Sequence, residues 1–266
     1  MVNLSNSTLS SAAKDLNIIL TLSSIQQFIS RTYYIVLLIV GNIGCILNPV
    51  ILLQHSLRFN SCSLYIIASS FTNIFIINFG LLTRILSYGY NIEPARYSAI
   101  YCALRTYFIT LLLILSPSYI VMACIDRYAL SSLNITLRKL NNRKMAKRLI
   151  LIIALFWHLL SIHIFIFYYH SQDTFISCVP IETYYSIIYS AYIFVCSGLL
   201  IPSLMTIFSL LTLNNIRKSR LRVIHHENTD TIKSINSKQA RLRKHNRQLL
   251  TMILIQVCMA NLYGNF

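Results

Sequence analysis

Charge is what this chain has least of. Only 11% of its 266 residues are Asp, Glu, Lys or Arg, and 56% are hydrophobic. A soluble domain carries about 25% charged residues, and the mean hydropathy here is +0.61. That excludes most water-soluble folds, and it excludes a disordered chain, which could not keep so much apolar surface solvated. Six glycines and five prolines are too few for collagen-like or low-complexity sequence. Also missing are a CxxC pair, a Cys/His cluster at zinc spacing, an HExxH helix, a phosphate loop and a nucleophile beside a base. The sequence therefore points to no enzyme, no metal and no cofactor. Acidic residues are scarcest, seven against 23 Lys and Arg, giving a net charge of +16. Such a balance suits nucleic acid or an anionic surface. The charges lie between long apolar runs, so membrane lipid is the expected partner and nucleic acid is not.

A helix crossing a bilayer needs about 20 mostly apolar residues. Runs of that kind lie at about 32–54, 63–86, 99–130, 146–169 and 184–213, and the third is long enough to tilt. A sixth, at 248–266, is convincingly apolar only from Leu249 to Ala260. Residues 1–31 are Ser- and Asn-rich and read as a tail without a cleavable signal. The fold class expected is all-α, an integral membrane bundle of five clear spans and a partial sixth.

Basic residues gather on the cytoplasmic side of a membrane. Eighteen of the 23 Lys and Arg fall in the segments after the first, third and fifth runs or at the run ends that border them, which places those segments inside and the N-terminus outside. Asn3 and Asn6 then stand in outer sequons as candidate glycosylation sites. A transporter or channel is disfavoured, because the runs hold no paired carboxylates and no inverted repeat. The one acid within a run is Asp126, at an inner end.

Asp126-Arg127-Tyr128 closes the third run. A charged pair there needs a partner or water, and an interfacial cluster whose side chains reach toward water would also account for it. Cys102 lies 25 residues before Arg127, about 37 Å along a helix, so the two stand at opposite faces of the bilayer. Cys178, between the fourth and fifth runs, shares the outer side with Cys102, in a compartment where disulfides persist.

With these features the chain resembles the rhodopsin-like G-protein-coupled receptors over roughly residues 32–260. Gly41-Asn42 looks like the paired residues of that family's first helix. Asp126-Arg127-Tyr128 matches its best-known motif in full. Trp157 is placed as its mid-span tryptophan, Pro202 as its fifth-helix proline, and Cys102 and Cys178 as its outer disulfide. The resemblance implies a seven-helix receptor that carries an extracellular ligand signal to a heterotrimeric G protein at the plasma membrane, as the sixth helix swings outward. Asp126 would hold Arg127 at rest and release it in the active state. The basic third loop looks most like neuropeptide-type receptors.

The chain also departs from the family. An Asn, Asn73, stands where the second helix usually carries a sodium-binding Asp, with Ser116 matching another residue of that pocket. An amide gives an oxygen but no charge, so Asn42, Asn73, Ser116, Trp157 and Pro202 read as packing and switching residues. The ligand pocket is expected at Arg84, Arg105, Thr106, Ile109 and Tyr192. Ile109 stands where amine receptors place an Asp. A buried ammonium without a counter-charge is costly, so a peptide is favoured over an amine. Arg84 and Arg105 would either meet an anionic group on it or extend to headgroups. The sixth-helix aromatic-proline kink and the seventh-helix Asn-Pro-aromatic motif do not occur. The expectation is a receptor incomplete at its C-terminus, with a truncated, non-signalling interaction partner as the alternative.

Overall fold

The computed structural model describes residues 2–54, 60–90, 92, 98–132, 134–140, 142–169, 179–180 and 183–224. Among them, five helices are long and apolar enough to cross a membrane: Leu16–Leu52, Ser61–Gly89, Ile100–Ser131, Arg143–Phe167 and Tyr184–Lys218, called spans one to five. Five such helices fit a multi-pass membrane protein. The expected sixth run at 248–266 lies outside the described residues.

The first helix differs from its expected bounds. It runs unbroken over Val2–Leu52, so the stretch read as a separate tail is helical, and the apolar part begins at Leu16 rather than at residue 32. Asn3 and Asn6 fall in its first turns, not in an open loop. Backbone hydrogen bonding needs no apolar side chains, which is why Gln26 and Gln27 do not end it.

Span three is the axis of the bundle. Of its apolar window 61% is buried, against 6% for span one. It packs on spans two, four and five, while span one packs on span two. The main core joins spans two to five through residues such as Tyr65, Leu111, Ile114, Tyr119, Trp157 and Met205. A smaller core of Cys45, Ile77, Leu81 and Ile85 joins spans one and two. Gly41 permits that second contact, because a Cβ there would lie 2.8 Å from Ile77 Cδ1.

Spans two and five are not uniform α-helices. Span two widens into π-helical turns at Ile76–Leu81 and Ile85–Gly89, and span five does so at Phe194–Leu200. In span five the cause is near at hand. Pro202 has no N–H for the carbonyl one turn earlier, and the wide turn ends just before it. Hydroxyls take over nearby acceptors: Ser203 Oγ donates to the Leu200 carbonyl at 2.9 Å and Thr206 Oγ1 to that of Pro202 at 2.8 Å. Span three carries its own interior proline, Pro117, and Ser118 donates to the Ile114 carbonyl at 2.7 Å.

A short helix, Ile135–Leu140, connects spans three and four. After span four, strand β1 (Tyr168–Tyr169) pairs antiparallel with β2 (Val179–Pro180), Tyr168 opposite Pro180. β1 also packs against span three.

Candidate functional site

Polar contacts in an apolar bundle mark where sequence has bought something other than packing, and here they form three tiers along span three. The first tier, at the Asp126 end of span three, is built on the first turn of span two. Asn60 gives that helix no side-chain cap, and its first turn holds no acid, so the positive end of the helix dipole lacks a local counter-charge. Asp126 of span three supplies one. Ser61 Oγ donates to its Oδ1 at 2.9 Å and its Oδ2 at 3.0 Å. Arg127 Nε donates to Cys62 Sγ at 3.2 Å. Tyr128 turns to span five, its ring 5.8 Å from that of Phe208. Ser131, one turn on, donates to the Tyr128 carbonyl at 2.9 Å and accepts from Asn215 Nδ2 at 3.3 Å. The three motif residues thus bridge spans two, three and five.

The middle tier joins spans two and three. Ser116 Oγ donates to Asn73 Oδ1 at 2.6 Å and lies 2.9 Å from Ser69 Oγ. Ser116 and Ser69 are fully buried. Between spans one and two, Asn42 pairs with Asn78 rather than with Asn73. Asn78 Nδ2 donates to Asn42 Oδ1 at 2.6 Å and Asn42 Nδ2 returns a bond to Asn78 Oδ1 at 3.3 Å. Each amide also donates to its own helix, to the Ile74 and Leu38 carbonyls, at 2.8 Å. Trp157 is buried in the main core and meets the ring of Phe156 edge-on.

The third tier, at the Cys102 end of span three, divides the five expected pocket residues between two interfaces. On the span-two side, Arg105 Nε donates to Thr83 Oγ1 at 3.2 Å, Arg84 is half-buried, and Ile109 faces Gly80. Thr106 bonds back to the Cys102 carbonyl at 3.1 Å. Tyr192 belongs to the other side, where its hydroxyl lies 3.3 Å from Ser161 Oγ and its ring meets His163 edge-on. Around it stands a cluster that the sequence reading passed over. Tyr107 Oη lies 2.8 Å from His158 Nδ1, and Thr110 Oγ1 lies 2.7 Å from Tyr189 Oη. Its signal was legible, since Tyr185, Tyr189 and Tyr192 recur at the spacing of one helix face. Ser61 and Cys62 were missed because nothing in the sequence pairs the start of one span with the end of another.

Cys102 is disulfide-bonded and fully buried, while Cys45, Cys62, Cys124 and Cys196 are free. Cys178 lies outside the described residues. Among the described residues no group of three or more His, Cys, Asp or Glu is arranged to hold a metal ion. The arrangement offers hydrogen-bonded contacts between helices. Neither a model of a known protein family nor a curated protein matches the chain.

Proposed function

We propose that this chain is a rhodopsin-like G-protein-coupled receptor, with its N-terminus outside the plasma membrane, that passes the signal of an extracellular ligand to a heterotrimeric G protein. The observation that carries the reading is the seating of Asp126 and Arg127 on Ser61 and Cys62. It puts a carboxyl group and a guanidinium at one end of the most buried helix, each held by hydrogen bonds that a small helix movement would break. Charged hydrogen bonds at a helix junction favour two discrete arrangements over a continuum. A ligand shifts such an equilibrium only by binding one arrangement better than the other. Arg127, once released from Cys62, is the group offered to the G protein.

The tier at the Cys102 end supports a peptide ligand over an amine. With Ile109 the Cys102 end of span three holds no carboxylate, whereas Arg105 is bonded to Thr83 of span two, next in sequence to Arg84. An acidic peptide residue would pair with them.

The test needs no ligand. Basal G-protein activation is measured in cells expressing equal surface amounts of the native chain, Asp126→Asn, Arg127→Ala and the double variant. Asp126→Asn should raise basal activity severalfold, and adding Arg127→Ala should return it to that of untransfected cells. Equal activity in all four would sink the proposal.

A further inference from the structure

Span four carries one continuous exposed stripe. Leu151, Leu155, Leu159, Ile162 and Ile166 are each more than half exposed, and at about 100° per residue they fall on one face of the helix. The opposite face, with Ala146, Trp157, Ser161 and Ile164, is buried. In a membrane the exposed stripe is the lipid-facing side. Followed toward the start of the helix, it runs straight into Lys144, Lys147 and Arg148, all exposed. By the same rotation Lys144 and Arg148 lie within about 20° of the stripe's centre line and Lys147 about 80° from it. From Lys144 to Ile166 the helix rises about 33 Å, against a hydrocarbon core of about 30 Å. The three cations therefore stand at headgroup depth on the outside of the bundle. Asp126 and Arg127, at the same end, are turned inward onto span two.

The helix itself does not call for these charges. Asn142 caps its start, accepting at Oδ1 from the Lys144 N–H at 3.1 Å and at its carbonyl from the Ala146 N–H at 2.9 Å. Lys144, in the first turn, is opposed by the helix dipole. No described acidic side chain balances them, since Asp126 is engaged by Ser61. Three cations and the positive end of a helix, on a lipid-facing surface, fit an external anion.

We propose that Lys144, Lys147 and Arg148 form a binding site for the phosphate-bearing headgroup of an anionic phospholipid, docked on the lipid-facing side of span four. That the lipid belongs to the inner leaflet rests on the orientation proposed above; the binding does not. A G protein would meet the inward-facing residues of this end, whereas the stripe is open to lipid. Attraction of basic side chains to anionic headgroups supplies the selectivity.

The test reconstitutes the full chain in symmetric phosphatidylcholine nanodiscs that contain spin-labelled phosphatidylserine or spin-labelled phosphatidylcholine. The readout is the motionally restricted fraction of each label. The native chain should restrict phosphatidylserine preferentially. That preference should fall between about 0.1 M and 1 M salt, as the Debye length shortens from about 10 Å to about 3 Å. Replacing all three residues by Gln should remove it, at up to about fivefold for each charge, while K144R/K147R/R148K should keep it. A preference that survives the Gln substitutions, that is insensitive to salt, or that is lost equally in the charge-conserving variant would overturn the proposal. So would a loss of G-protein activation in the Gln variant with lipid preference unchanged, which would assign the patch to protein docking. Neither ligand nor G protein enters the lipid measurement, so it can succeed or fail apart from the receptor reading.

Discussion

Ser61 donates to both carboxylate oxygens of Asp126, at 2.9 and 3.0 Å. The bond ties the first turn of span two to the last turns of span three, across 65 residues of sequence. Asp126 is half-buried, so the link is worth about 1–2 kcal/mol, toward the low end for a hydrogen bond to a charged group. Ser61→Ala should lower the thermal midpoint of the detergent-solubilised protein by a few degrees, and under the receptor reading it should raise basal G-protein activity. Ser61→Thr keeps the hydroxyl and should retain both properties. A fully stable Ser61→Ala protein with unchanged basal activity would remove Ser61 from the switch.

A second prediction concerns Cys102. The chain returns from the β1–β2 ladder to span five, and Cys178 directly precedes Val179 of β2, whose partner strand β1 packs on span three. Non-reducing peptide mapping should recover Cys102 joined to Cys178. Cys102→Ala should cost about 2–5 kcal/mol, seen as loss of surface expression. A free thiol at Cys178 in the intact protein would reject the pairing.

The amide pair between spans one and two should behave as a coupled unit. In a double-mutant cycle with Asn42→Ala and Asn78→Ala, the interaction energy is expected near 0.6 kcal/mol and no greater than about 1.7 kcal/mol, the range for interhelical hydrogen bonds in membranes. Strict additivity of the two single losses would show that each amide serves only its own helix, through Leu38 and Ile74.

Orientation is tested without reference to signalling. An epitope placed before Lys14 should be stained on unpermeabilised cells, because eighteen of the 23 Lys and Arg lie in the segments assigned to the other side or at the run ends that border them. Staining that requires permeabilisation would invert the topology, and the receptor proposal would fall with it.

What could be read in advance followed from length and hydropathy. The five spans were visible because bilayer thickness demands apolar runs that nothing else requires. Their ends were less so: the helix around Gln26 and Gln27 persists where hydropathy stops, since the backbone does not register side-chain polarity. Asn42, Asn73 and Ser116 were picked out as residues, and Ser116 does meet Asn73. The partner of Asn42 was not foreseen, because Asn42 meets Asn78 only through the relative register of two helices, which neither segment encodes alone. Tyr192 was assigned with Arg84 and Arg105 by depth. Depth fixes height in the bilayer but leaves azimuth open, and Tyr192 engages Ser161 on the other side of span three.

The wide turns of span two bear on how residues along it can be counted. Each π turn takes up one residue more than an α turn would, which offsets everything beyond it by about 100° of rotation. Asn73 lies before the turn at Ile76–Leu81 and Arg84 lies after it. A helical wheel drawn from one end of the span therefore mis-aims the other. Deleting a single residue within Ile76–Leu81 would let that stretch close to regular pitch and swing Thr83 away from Arg105, which now donates to it, while leaving Asn73 on Ser116. In this helix the spare residue works as a gear tooth, setting the direction of the half toward Gly89 independently of the half toward Ser61.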